Sequence, residues 1–315
     1  MSLESILADK EFAEELMARV GKGALANSVS SIPKSSLTEE IKGIVERVGA
    51  PTSSTVEAII LQTGRPALVV KNGTFQTTVS DVWNARLEAS RAQLERAILA
   101  VGRIELKNHP DFEWIGTGWF VANDIVVTNR HVAEMFASGD AGSYNFRTNV
   151  EGKRIGARID LREEYLVPDE VEFEAMRILH IEPDPGPDMA FLQVAVTGGS
   201  APAPLMLASD VSPDTNVAVI GYPAWDGRRN DPIVMRTVFN DLYDVKRLQP
   251  GRVMTANADL ISYDCSTLGG NSGSPVITLL TGEVAGLHFG GSYAKGNYGV
   301  SAAVIRDRLI NLGLQ

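Results

Sequence analysis

Cysteine is almost missing from this sequence. One residue, Cys265, in a chain of 315 leaves no internal disulfide to form, which excludes the bridge framework that staples many secreted domains. A single thiol fits a reducing compartment, and the expectation is a cytoplasmic protein. Long apolar runs are missing too. No stretch approaches the roughly 20 residues of a membrane span, and the start, MSLESILADKEFAEEL, lacks the basic opening and apolar run of an export signal. No membrane partner is expected. Basic charge is short, with 29 Lys and Arg against 39 Asp and Glu for a net charge of −10. A phosphate backbone needs a basic face, so nucleic acid is set aside as a partner. Histidine is scarce, with only His109, His131, His180 and His288 available to any chemistry that needs an imidazole. Internal repeats and low-complexity tracts are lacking. The chain is long enough to bury its core without disulfide or metal, and no cofactor or metal is called for.

What is present changes texture near residue 100, and two regions are expected, 1–100 and 101–315. The first reads as helical. Leu3, Ile6, Leu7, Phe12, Leu16 and Val20 recur at helical spacing, with Gly21 and Gly23 closing the segment. A Ser-rich link follows at 28–36, then short helices at 39–48 and 55–62, the latter stopped by Gly64 and Pro66. Ala67 to Lys71 reads as one isolated strand ended by Asn72-Gly73. The stripe Val79, Trp83, Leu87, Leu94 and Ile98 predicts a helix over 78–100, with Thr78 and Asp81 capping its start. From Val101 the pattern becomes short strands between turn residues, such as GWFVA, DIVVTN, MAFLQVAV, NVAVIGYP, SPVITLL and EVAGLHFGG. That texture suggests a β-sandwich or a barrel pair rather than alternating β and α units. A last helix is predicted over 302–312.

Three strings carry chemistry. Attack on an amide needs an exposed nucleophile and backbone N–H groups aimed at the oxygen that becomes negative. Gly269-Gly270-Asn271-Ser272-Gly273-Ser274-Pro275 supplies Ser272 within a turn tight enough for the Gly270 and Ser272 amides to converge. A polar turn between two strands is the plain alternative. A serine hydroxyl needs a neutral imidazole to take its proton. Thr128-Asn129-Arg130-His131-Val132-Ala133 puts His131 where a strand gives way to a turn. In Gly186-Pro187-Asp188-Met189-Ala190-Phe191-Leu192, an acid at the mouth of an apolar strand can seat beside an imidazole and fix its tautomer. Asp160 and Asp264 are rivals for that acid, without the small-plus-apolar run that follows Asp188.

Taken together, in the order His131, Asp188, Ser272, these strings resemble the chymotrypsin-like serine protease family, in particular its bacterial branches. There the histidine follows T-x-x-H-V, the aspartate opens D-x-A-x-L and the serine lies in G-N-S-G. Gly116-Thr117-Gly118 and Gly221-Tyr222-Pro223 belong to the same likeness, which covers about residues 101–312. The resemblance implies a mainly β catalytic domain of two perpendicular six-stranded barrels. It places the catalytic triad His131, Asp188 and Ser272 in the cleft between them, an oxyanion hole at the amides of Gly270 and Ser272, and a protein or peptide substrate. A non-catalytic binding module that kept the fold is the competing reading. An α/β-hydrolase is not: that class puts its acid between serine and histidine, and only His288 follows Ser272, 16 residues on.

The resemblance also locates a substrate pocket. Six residues before the nucleophile stands Ser266, where trypsin-type enzymes carry an aspartate, so cleavage after Arg or Lys is not expected unless Asp264 reaches in. Gly286-Leu287-His288-Phe289-Gly290-Gly291 resembles the string of the glutamyl endopeptidases, whose matching histidine, with a threonine placed like Thr267, binds a substrate carboxylate. A preference for Glu or Asp before the scissile bond follows, against the plainer reading of His288 as a barrel hydrogen-bonding residue. Asn271 replaces the aspartate that pairs with the freed amine in trypsin-type zymogens, so that activation chemistry is not expected. Cys265 reads as a small packed residue. Residues 1–100 match no family. They are read as regulatory or partner-binding, with Gly64 to Gly73 lying across the catalytic region and a latent full-length form; a docking domain that leaves the cleft open is the alternative.

Overall fold

Helices that bury one apolar face and strands that bury alternate residues need partners, and here the two kinds share them. A computed structural model describes residues 3–21, 43, 54–140, 142–196, 201–227, 230–292 and 296–314. The Ser-rich link at 28–36 and nearly all of the helix expected at 39–48 lie outside the described residues. In the N-terminal part α1 (Leu3–Leu7), α2 (Lys10–Gly21) and α3 (Ser54–Gly64) precede a hairpin of β1 (Leu68–Lys71) and β2 (Thr74–Phe75), then α4 (Asp81–Ala89) and α5 (Arg91–Leu99). The helix expected from Leu3 to Val20 is therefore two, broken at Asp9, whose carboxylate accepts from the Phe12 amide. The helix expected over 78–100 is likewise two, meeting at Ser90. Its cap is Ser80, not Thr78: the Ser80 side chain accepts from the Trp83 amide, as a short hydroxyl before the first turn does. Val79 falls outside the stripe and is half exposed.

Six strands close the first barrel: β3 (Val101–Lys107), β4 (Trp114–Ala122), β5 (Ile125–Thr128), β8 (Gly156–Asp160), β9 (Glu172–Ile181) and β10 (Ala190–Val194), in the order β10-β5-β4-β3-β8-β9. Between β5 and β8 lie the short α6 (Arg130–Ala133) and a side hairpin of β6 (Ala137–Asp140) and β7 (Ser143–Phe146). The second barrel runs β11-β14-β15-β16-β13-β12 and closes through β11–β12. Its members are β11 (Asn216–Gly221), β12 (Arg247–Ala256), β13 (Leu260–Tyr263), β14 (Pro275–Thr278), β15 (Val284–Ser292) and β16 (Gly296–Ser301). Between β11 and β12 stands α7 (Pro232–Phe239), and α8 (Ala302–Leu312) ends the chain as expected. All the barrel pairings are antiparallel. The fold is thus two closed six-stranded barrels with a smaller helical N-terminal region, which is the chymotrypsin-like architecture.

The strand that stands alone among the N-terminal helices is not alone in space, and its stretch lies on the catalytic region along a barrel edge. Leu68 and Val69 of β1 pair with Leu248 and Arg247 of β12, so the hairpin extends the second barrel beyond its sixth strand. The helices follow it. Ile6, Phe12, Leu16, Ile60 and Leu61 form one apolar cluster with Val234, Met235, Val238 and Phe239 of α7. Trp83, Leu87, Leu94 and Ile98 instead join the main core, which continues into both barrels.

Candidate active site

His131 stands on α6, just past the end of β5, and two neighbours fasten that helix to the turn ahead of β10. Asn129 Nδ2 donates to the Asp188 carbonyl at 2.8 Å. Arg130 Nη1 donates to the carbonyls of Pro183 and Gly186, both at 3.0 Å. The turn is thereby held so that Asp188 meets His131 twice: Oδ2 lies 2.6 Å from Nδ1, and Oδ1 accepts from the His131 backbone amide at 3.1 Å. Burial alone would raise the Asp188 pKa, but hydrogen bonds and charge from His131, with Arg130 nearby, outweigh it and hold the carboxyl below its ordinary value. An ionised carboxylate only accepts. The proton between the pair therefore belongs to Nδ1, and in the neutral ring Nε2 then carries the lone pair.

Ser272 is carried by a turn that only glycine can build. Gly270 and Gly273 have φ of 85° and 90°, the left-handed region that favours glycine. A Cβ at Gly270 would lie 2.3 Å from the Tyr222 carbonyl oxygen, and one at Gly273 only 2.0 Å from that of Thr117. The first barrel clamps this turn. The Thr117 amide donates to the Ser272 carbonyl at 2.8 Å, and its hydroxyl donates to the Gly270 carbonyl at 2.9 Å. Gly116-Thr117-Gly118 thus has a definite task, since a Cβ at Gly116 would meet the Ser272 carbonyl at 2.9 Å. Among the described residues, neither the Gly270 nor the Ser272 amide donates to a backbone carbonyl. Asn271 is fully buried, and its Oδ1 accepts from Gln249 Nε2 at 2.9 Å. A neutral amide pair therefore occupies the place where an ion pair was not expected.

A cavity of about 270 Å³ opens beside these groups, lined by His131 and Ser272 together with Ser266, Thr267, His288 and Asn297. The cluster predicted from sequence, triad and pocket alike, is thus brought to one place. His288 is buried, and its Nδ1 lies 2.5 Å from the Tyr263 hydroxyl. Burial pushes the Tyr263 phenol well above its ordinary pKa, so it keeps its proton and donates a hydrogen bond to Nδ1. Nε2 of His288 then carries the ring hydrogen. Burial, reinforced by His131, lowers the His288 pKa to about 3, so the ring is neutral at ordinary pH. Thr267 Oγ1 donates to Asn297 Oδ1 at 2.7 Å, and Asn297 Nδ2 donates to the Cys265 carbonyl at 2.6 Å.

The rival acids are occupied elsewhere. Asp160 accepts from the amides of Arg162 and Val171. Asp264 is engaged by Arg65, with contacts of 2.7 and 2.6 Å, and does not line the cavity. Asp226 does line it, near Gly269. Three contributors to the cavity were not singled out for it in the sequence: Leu61, Arg65, although its stretch was expected on the catalytic region, and the helix α7. Only α7 had a local signal, Asp231-Pro232 before an apolar run, with Asp231 accepting from the Ile233 and Val234 amides. The other histidines serve elsewhere: His109 accepts from the amides of Asp111 and Phe112, and His180 meets Glu182.

Residues 116–287, more than half the chain, match the family model of the trypsin-like peptidase domain. A probable serine protease of Lysobacter enzymogenes is 27% identical over 319 residues, covering 88% of this chain and 81% of that protein. A glutamyl endopeptidase of Staphylococcus epidermidis is 28% identical over 193 residues, which span 59% of this chain but only 57% of that relative. Among solved structures, the active form of the Rv3671c protease from M. tuberculosis aligns with a TM-score of 0.47 at 21% identity, over 73% of this chain and 87% of that one. With two closed barrels and this match across both of them, the chain belongs to the trypsin-like peptidase family and is a serine endopeptidase.

Proposed function

We propose that Ser272 is the nucleophile, His131 its general base and Asp188 the acid that orients the base. His131 Nε2 takes the Ser272 hydroxyl proton as Oγ bonds to the scissile carbonyl carbon. The carbonyl oxygen becomes negative and is held by the amides of Gly270 and Ser272. His131 then passes the proton to the leaving nitrogen as the C–N bond breaks, and water repeats the sequence on the acyl-enzyme. One observation carries this reading: His131 is held by Asp188 in the tautomer that leaves Nε2 basic, on a wall of the cavity that Ser272 also lines. Labelling by a fluorophosphonate tests it. The wild-type chain should be labelled and a folded Ser272→Ala chain should not; equal labelling of the two would sink the assignment.

The pocket reading goes one step finer. A neutral His288 with hydrogen on Nε2 is a donor, not a cation, so it suits a side chain that ends in an acceptor oxygen. Glu or Asp before the scissile bond is the preference proposed, in keeping with the relative named a glutamyl endopeptidase. Because the donor is neutral and Asp226 shares the lining, Gln should be admitted within about tenfold of Glu, the scale of one modest contact. A peptide series differing only at that residue measures this, and faster cleavage after Lys or Arg would overturn it. A cytoplasmic site of action is part of the proposal; the single, fully buried Cys265 fits it, and cell fractionation tests it. Latency through residues 1–100, with a regulatory partner to release it, is the reading the sequence raises. The pairing of β1 with β12 favours a structural part over a cover for the cleft.

A further inference from the structure

The cavity beside Ser272 is completed by residues that lie outside the matched peptidase domain. Arg65 is fully buried. Its Nε donates to Asp264 Oδ1 at 2.7 Å and its Nη2 to Asp264 Oδ2 at 2.6 Å, the two-pronged geometry in which guanidinium and carboxylate bind most specifically. Its backbone carbonyl in turn accepts from Ser266 Oγ at 2.6 Å. One residue of the N-terminal region therefore grips the pocket segment at two points, on the acid two positions before the pocket serine and on that serine itself. Asp264 is held further by the Ser5 hydroxyl at 2.9 Å and the Arg252 amide at 2.7 Å. Burial would raise its pKa, but Arg65, the Arg252 amide and the Ser5 hydroxyl together outweigh it and hold the carboxyl below its ordinary value.

One helical turn before Arg65, Leu61 lies on the cavity wall with Val234, Met235 and Val238 of α7. Leu268, between the pocket residues and the nucleophile turn, is buried in the same apolar cluster as Leu61. Side chains with locked neighbours hold a site to the fraction of an ångström that selectivity requires. Here the locks on 264–268 come from α3 and the residue after it, not from the barrel alone.

We propose that Arg65 is a positioning residue for the substrate-side-chain pocket and that Leu61 forms part of its wall, making the N-terminal region a fixed component of the enzyme's specificity. This rests on the reading of the cavity beside Ser272 as the pocket for the residue before the scissile bond. The test uses full-length Arg65→Met, Arg65→Lys and Leu61→Phe chains with two readouts. The first is the rate of inactivation by diisopropyl fluorophosphate, which carries no side chain for the pocket. The second is kcat and KM on peptides that differ only before the scissile bond. Arg65→Met should leave inactivation nearly unchanged, raise KM by at least about tenfold and flatten the profile, with Arg65→Lys recovering part of it. Leu61→Phe should exclude the largest side chains. An unaltered profile in both Arg65→Met and Leu61→Phe, or inactivation that slows in proportion as KM rises, would overturn the proposal. Should Arg65→Met not fold, Leu61→Phe and Ser266→Ala decide by their profiles alone. Peptide Kd values in a Ser272→Ala background separate the two readings: if the wild-type chain resists the reagent, the nucleophile assignment fails, while Kd profiles that change with Arg65 still support the pocket and Kd profiles that do not change reject it.

Discussion

The role proposed for Asp188 rests on accepting from His131, so the smallest informative change is one that keeps its shape and removes that capacity. Asparagine would present either its oxygen or its amide to His131 Nδ1. Since the His131 backbone N–H also needs an acceptor from this side chain, the amide oxygen is drawn there and the NH₂ faces Nδ1. The ring is then forced to carry its hydrogen on Nε2, the atom proposed to receive the Ser272 proton. Asp188→Asn should lower kcat by about 10⁴-fold with little effect on KM, and Ser272→Ala by about 10⁶-fold. Single-turnover kinetics on one peptide substrate measure both; an Asp188→Asn enzyme within tenfold of wild type would show that the acid lies elsewhere. The same hydrogen bookkeeping governs His288, whose tautomer is set by the Tyr263 hydroxyl. Both imidazoles in the cleft are thus fixed by an oxygen at Nδ1, one by a carboxylate and one by a phenol. On the proposed mechanism the carboxylate would stabilise positive charge on its ring, whereas the buried phenol leaves its ring neutral.

At the scale of elements, the join between helices and barrels runs through Lys246, the residue before β12. Its Nζ is fully buried and donates to the carbonyls of Ile98, in the last turn of α5, and Leu161, beyond β8, with Glu164 at 3.5 Å. A cation at a helix C-terminus meets the negative end of the dipole, but burial still lowers this pKa to about 8. Lys246→Met would leave Glu164, equally buried, without its counter-charge, and should cost about 3–5 kcal/mol. Adding Glu164→Gln should recover part of that loss, read as the denaturant midpoint, because the amide keeps an acceptor for the Gly73 amide. A double variant no more stable than Lys246→Met would mean the pair is uncoupled. Legibility divides along the same line. The strands and α8 could be read because alternation, turn residues and helical spacing are local. The breaks at Asp9 and Ser90 could not, because each interrupts an apolar stripe that continues in register. The partner of β1 could not be read either, since nothing in Leu68–Lys71 names β12. The strings around His131, Asp188 and Ser272 marked the candidate site because the proposed chemistry needs those residue types in tight local settings. Arg65 and Asp264 stand 199 positions apart, and no local pattern joins them.

For the whole molecule, the question is whether the peptidase exists without its N-terminal region. A chain beginning at Ala100 would keep both barrels and every group assigned to the chemistry. It would also strip Trp83, Leu87, Leu94 and Ile98 from the main core and the α1–α3 side chains from α7, exposing to water apolar surface that is now buried. Arg65 would leave Asp264 as an uncompensated buried charge, a loss on the order of 3–5 kcal/mol by itself. That is a large share of the roughly 5–15 kcal/mol that separates a folded domain from its unfolded chain. If residues 1–100 were a cover, removing them would raise kcat/KM on a short peptide. If they are structural, the shortened chain should be insoluble or, where soluble, unfold at a far lower temperature and cleave with a much larger KM. Purified 1–315 and 100–315 compared by circular dichroism, thermal melting and kcat/KM on one peptide decide between the two. A cooperative melt near that of the full chain, together with equal or higher kcat/KM, would return residues 1–100 to the role of a removable domain.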